Sequence, residues 1–187
     1  MSSMYQSALN ELGLVFAKID DESVNNAIEL IVRSQKIVVF AGGREKLQLM
    51  GFAMRLFHMG LNISVEGDMT TPPVGKGDLL IVSVGTGYIS TALALMDVAK
   101  NSGASILMIT AQPSGKCSKY ADFILELPAQ TMADDQGEKK SSVLPMGSLF
   151  EGALFILFEV MVLKPVSYTH LRAHETEADL VCRLLLE

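Results

Sequence analysis

Cysteine is scarce in this chain. Cys117 and Cys182 are the two present in 187 residues, and they lie far apart without the short spacing of a metal-binding pair. They read as incidental thiols of a reducing cytoplasm, not as a disulfide framework. Positive charge is also short: 15 Lys and Arg stand against 21 Asp and Glu, for a net charge of −6. That balance lacks the basic surface a phosphate backbone requires, which excludes nucleic acid as the main partner. No apolar run reaches the ~20 residues needed to cross a bilayer. The longest, residues 152–163, is too short. The N-terminus has no basic stretch followed by an apolar core, so no secretory signal is visible. What is abundant is apolar side chain, at 49% hydrophobic residues, enough for a sizeable core in one domain.

The apolar residues come in alternating patterns. MYQSALNELGLVFAKI (4–19) and ESVNNAIELIVRS (22–34) have helical spacing. KIVVFAGG (36–43) is short, β-branched and closed by glycines, as a buried strand would be. Helical periodicity returns in KLQLMGFAMRLFHMG (46–60), followed by strands in LNISVEG (61–67) and DLLIVSVG (78–85). YISTALALMDVAKNSG (88–103) predicts a helix stopped by Gly103. ASILMIT (104–110) and ADFILELP (121–128) predict two more strands, and residues 145–164 a strongly apolar helix. Strands alternating with helices imply an α/β fold, a five-stranded parallel sheet with helices on both faces. The expected strand order is 2-1-3-4-5. In such a sheet ligands sit beyond the carboxyl ends of the strands where the winding reverses, here after strands 1 and 3.

The strand 3 exit reads VSVGTGYIST (82–91). Thr86 offers a hydroxyl, Gly85 and Gly87 let backbone N–H groups approach an anion, and Ser90 and Thr91 add hydroxyls at a helix N-terminus that favours negative charge. A plain turn would also place glycines here. The stretch is neither G-x-x-x-x-G-K-[ST] nor G-x-G-x-x-G, so nucleotide binding is unsupported.

GFAMRLFHMG (51–60), GDMTTPPVGKGDLLI (67–81) and PMGSLFE (145–151) carry a resemblance to the sugar isomerase (SIS) domain family, specifically its 6-phospho-3-hexuloisomerase group, over about residues 5–163. The resemblance implies a three-layer α/β/α sandwich, no metal or other cofactor, a homo-oligomer of two or four chains, and a phosphorylated sugar as ligand. It implies carbonyl migration between adjacent sugar carbons through an enediol. The alternative is a non-catalytic phosphosugar-binding or regulatory domain on the same fold. The family's first loop, G-x-G-R-S-G, is here Ala41, Gly42, Gly43, Arg44, Glu45 and Lys46. Glu45 replaces a phosphate-binding serine and would repel phosphate, and Lys46 could offset it. The second loop, S-G-S-G-E-T, is here Val84, Gly85, Thr86, Gly87, Tyr88 and Ile89.

Glu151 matches the family's proposed catalytic glutamate, and burial would suit it to proton transfer. It could equally be an acidic residue favoured in a first helical turn. Arg44 is a ligand contact or a surface arginine paired with Glu45. Asp68, Thr70 and Thr71 follow strand 2, where the family places ligand contacts; the other reading is a capped, solvated turn. His58 reads as packing or as a helix C-terminal cation. Residues 1–164 are expected to form the single domain. Residues 165–187, PVSYTHLRAHETEADLVCRLLLE, resemble a translated cloning or adapter sequence and are expected to be non-native. They hold His170 and His174; a smaller expectation is that His174 takes the place of a family histidine. The apolar, many-sided helices and eleven methionines suit contacts between subunits.

Overall fold

The computed structural model describes residues 3–135 and 142–166. Helices α1 (Met4–Phe16) and α2 (Asp21–Arg33) precede β1 (Ile37–Ala41). There follow α3 (Gly43–His58), β2 (Ile63–Val65), β3 (Leu79–Ser83), α4 (Ser90–Asn101), β4 (Ser105–Thr110), β5 (Phe123–Glu126) and α5 (Ser148–Val166). A 3-10 turn over Lys116–Lys119, too short to leave a periodic signal, joins β4 to β5. All strand pairs are parallel, in the order β2-β1-β3-β4-β5. The sheet and its order are those read from the sequence.

The central strands are continuous apolar runs because both their faces are covered. Ile37, Val39, Ile81 and Ile109 face one way, into a core shared with Leu49 and Phe52 of α3 and Leu154 and Phe158 of α5. Val38, Phe40, Val82 and Met108 face the other way, against Ala92 and Met96 of α4. The register Val39↔Ile81↔Leu107 keeps each set on its face. The Phe52 and Phe158 rings stack at 4.3 Å and 8°, fastening α3 to α5. That contact sets the two helix N-termini side by side above the sheet.

Helix α3 starts three residues earlier than the apolar period suggested. Gly42 alone caps the turn out of β1, so the chain passes almost directly from strand to helix. Asp78 is buried at the amino end of β3, where it accepts from Gly75 N–H at 2.8 Å and pairs with Lys36 at 3.1 Å. It belongs to the scaffold, on the end of the sheet opposite the loops after β1 and β3.

Asp20 caps α2, accepting from the Glu22 and Ser23 N–H groups at 3.3 and 3.1 Å. These hydrogen bonds, the Ser23 hydroxyl first, hold its carboxyl below the usual range. A carboxyl depressed in the folded state stabilises above its unfolded value and loses that contribution as pH falls through the folded value. Asp20→Ala is therefore expected to lower the thermal midpoint at pH 7 and to lose that difference toward pH 2. Calorimetry across that range checks it.

Candidate active site

Between the loops after β1 and β3 lies a cleft of about 450 Å³, in the range of small-molecule sites. Gly42, Gly43, Arg44 and Glu45 wall one side, from the first turn of α3. Thr86 and Ile89 come from the loop after β3, and Gly147, Phe150 and Glu151 from the start of α5. Thr131, Met132 and Met146 close it; Met146 belongs to the PMGSLFE stretch, and nothing in the sequence pattern marked Thr131 or Met132.

Glu151 stands in the first turn of α5 with 16% of its side chain exposed, and its Oε1 lies 3.0 Å from Arg44 Nε. Burial raises its carboxyl above the ordinary range, and the Arg44 guanidinium pulls part of that back. Arg44 also donates to the Ser148 hydroxyl at 3.2 Å and to the Met146 carbonyl. Its guanidinium thus ties α3 to the turn that opens α5. The alternative pairing with Glu45 does not occur, because adjacent helical residues project in different directions. Nor is Arg44 free to reach a ligand with its whole fork; it orients Glu151.

Glu45 turns down between the strands. The Ser83 hydroxyl donates to its Oε2 at 2.6 Å, and the Gly85 N–H donates at 3.2 Å. Burial is the main cause that pushes its carboxyl up, and the negative charge of Glu151 adds to it. Lys46 does not offset this charge. Its ammonium donates to the Glu66 carbonyl at 3.1 Å, beyond β2.

These contacts correct the expectation for Gly85 and Gly87. The Gly85 N–H is taken by Glu45, and the Gly87 N–H donates to the Val84 carbonyl at 2.9 Å. Glycine is required at Gly85 for a packing reason, since a Cβ there would lie 2.8 Å from the Phe150 ring. Thr86 does face the cleft, with its hydroxyl 3.3 Å from the Tyr88 carbonyl. Tyr88 is 46% exposed and leaves the cleft open. Helix α4 has Ile89 at its N-cap and receives no side-chain hydrogen bond there. Its first-turn N–H groups, with exposed Ser90 and Thr91, remain as donors at the cleft's rim.

Asp68, Thr70 and Thr71 are outside this cleft. They form a turn in which the Thr71 hydroxyl donates to the Val65 carbonyl at 2.6 Å and Thr71 N–H to the Asp68 carbonyl at 3.0 Å. His58 is exposed in the last turn of α3, its ring 6.3 Å from that of Phe57. Cys117 is buried against the sheet. His170, His174 and Cys182 lie outside the described residues.

The SIS domain pattern matches residues 30–151. The chain belongs to the SIS domain family. It is 34% identical over 156 residues to the 3-hexulose-6-phosphate isomerase of Bacillus subtilis, covering 83% of this chain and 84% of that one. It is 36% identical over 166 residues to the Mycobacterium gastri protein of the same name, covering 89% and 82%. Its fold superposes with a TM-score of 0.78 on a hypothetical protein from Methanococcus jannaschii, whose crystal structure was used to infer 3-hexulose-6-phosphate isomerase function. That pair shares 27% identity and covers 93% of this chain and 96% of the other.

In this SIS domain the turn before α5 is unusually constrained. Met146 is a non-glycine residue at φ 56°, and Gly147 follows at φ 78°. The Met146 N–H donates to Asp135, and the Met146 carbonyl accepts from Arg44. Among the described residues, no three His, Cys, Asp or Glu side chains are grouped as metal ligands, and no helix is long and apolar enough to cross a membrane.

Proposed function

We propose that this chain isomerises 3-hexulose 6-phosphate, moving the carbonyl from C3 to C2 through an enediol. The observation that carries this reading is Glu151, a largely buried carboxylate fixed by Arg44 inside the cleft at the winding reversal. Glu151 removes the proton from C2 as the C3 carbonyl oxygen gains one, and then returns a proton to C3. The phosphoryl group takes the Thr86 hydroxyl and the uncapped first turn of α4, where Ser90 and Thr91 stand and the helix dipole favours an anion. The Gly85–Gly87 backbone shapes that loop. Asp68, Thr70 and Thr71 are left in a supporting turn.

Incubation of the purified chain with 3-hexulose 6-phosphate, followed by ¹³C NMR, tests this. The reading expects the C3 carbonyl signal to be replaced by one at C2; an unchanged spectrum contradicts it. A specific observation favours the second reading, a binding domain without chemistry: the N–H groups of Gly85 and Gly87 already have acceptors. Thermal stabilisation by the phosphosugar with no carbonyl movement would select that reading.

Arg44→Ala is expected to move the acid limb of the pH–rate profile upward, because Glu151 loses the cation that favours its charged form. An unmoved limb would remove Arg44 from the account. We also place the chain in the cytoplasm as a homo-oligomer, a dimer or tetramer. Leu47, Met50, Met54 and Phe57 run along the outer face of α3 at 45–65% exposure, a stripe suited to another copy. Light scattering on the purified chain measures the assembly.

A further inference from the structure

The cleft holds two carboxyl groups in unlike surroundings. Glu151 has a guanidinium at 3.0 Å. Glu45 has no ion-pair partner among the described residues: Arg44 is committed to α5 and Lys46 to the Glu66 carbonyl. What touches Glu45 is the Ser83 hydroxyl of β3, the Gly85 N–H and the crowding edge of Phe150. Among the described residues, the charged group that acts on it across the cleft is Glu151, itself negative. The N-terminal end of α3 is the only feature on its own element that favours its ionised form. Burial raises both carboxyls, but only Glu151 has a cation beside it to favour its charged form, and two carboxyls in such unlike surroundings can divide the roles of base and acid.

We propose that Glu45 is a second catalytic carboxyl, the acid that works opposite Glu151. This rests on the isomerase reading above. In the first half of the reaction, the Glu45 carboxylic acid gives its proton to the C3 carbonyl oxygen while Glu151 takes the proton from C2. The C2–H and C3=O π bonds are lost, and C2=C3 and O3–H form. In the second half, the Glu45 carboxylate takes the proton from the C2 hydroxyl as C2=O forms and Glu151 hands its proton to C3. Both carboxyls end as they began, and no other reactant is needed. Burial and the Glu151 charge keep the proton on Glu45 at a higher pH than an exposed glutamate would hold it.

The test compares steady-state turnover of 3-hexulose 6-phosphate by the wild-type chain, Glu45→Gln, Glu45→Asp and Glu45→Ser between pH 5 and 9. Glu45→Gln keeps the side chain's shape and its acceptor for Gly85 N–H. It is expected to lose about 100-fold in kcat with KM near the wild-type value. The basic limb of the kcat profile should vanish with it, and Glu45→Asp should recover that limb and part of the rate. Turnover by Glu45→Gln or Glu45→Ser at the wild-type rate overturns the proposal. So does tighter phosphosugar binding by Glu45→Ser with turnover intact, which would make Glu45 only an occupant of an anion site. Should Glu45→Gln fail to fold, the wild-type profile decides, since a kcat with no basic limb contradicts an acid in this position. Failure of the isomerase reading looks different: the wild-type chain itself does not turn over, and the proposal falls with it.

Discussion

Glu151→Gln is expected to reduce turnover by about 10²–10⁴-fold while leaving phosphosugar binding nearly unchanged. At roughly 1.4 kcal/mol per tenfold, that is about 3–6 kcal/mol of barrier. The carboxamide keeps the size of the carboxylate and can still accept from Arg44 Nε, now 3.0 Å from Oε1. What it loses is the capacity to take a proton from carbon. Its folding cost is small by comparison, because the lost ion pair has one partner with 48% of its side chain exposed and water can solvate the released guanidinium. Loss of rate with an unchanged thermal midpoint and unchanged KM would place Glu151 in the chemistry. A variant that turns over within a few-fold of wild type would remove it.

The second large effect is on the scaffold. Gly147→Ala puts a Cβ 2.6 Å from the Met132 backbone nitrogen and 3.2 Å from the Thr131 carbonyl carbon, at a residue with φ 78°. Neither neighbour is a side chain that can swing away. The left-handed conformation and the backbone clash together are expected to cost about 3 kcal/mol. For a chain of this size that is a fall of roughly 6–12 °C in the thermal midpoint. Turnover should fall too. The Met146 carbonyl and the Ser148 hydroxyl on either side of Gly147 hold Arg44, which holds Glu151. A midpoint within about 2 °C of wild type would mean that this turn can relax and does not fix the site.

The architecture was legible because its signals are local. IVVFA of β1 and LLIVS of β3 are buried throughout, and a fully covered parallel strand reads as an unbroken apolar run. The parallel sheet followed from the alternation, and the cleft's position followed from the strand order. The place of Glu151 in the first turn of α5 was also legible, through the PMGSLFE motif. The partners inside the cleft were not. Arg44 and Glu151 are far apart in sequence, and it is tertiary packing, the stacking of Phe52 on Phe158 included, that brings their helices together. The division of labour between Arg44, Glu45 and Lys46 had a readable cause. Three consecutive residues of a helix fan out around its axis, so they could not have neutralised one another. They reach α5, the strand ends and β2 respectively. The glycines of the second loop were read as room for an anion. Gly85 instead makes room for Phe150, a contact that no spacing in the sequence announces.

Isomerisation through an enediol requires a proton to leave carbon inside this cleft. Its most direct measurement is the reaction run in deuterated water, with mass and NMR analysis of the recovered hexulose phosphates. Deuterium on the carbon next to the carbonyl, present with the wild-type chain and absent with Glu151→Gln, is the result predicted. Deuterium incorporated equally by Glu151→Gln would contradict it.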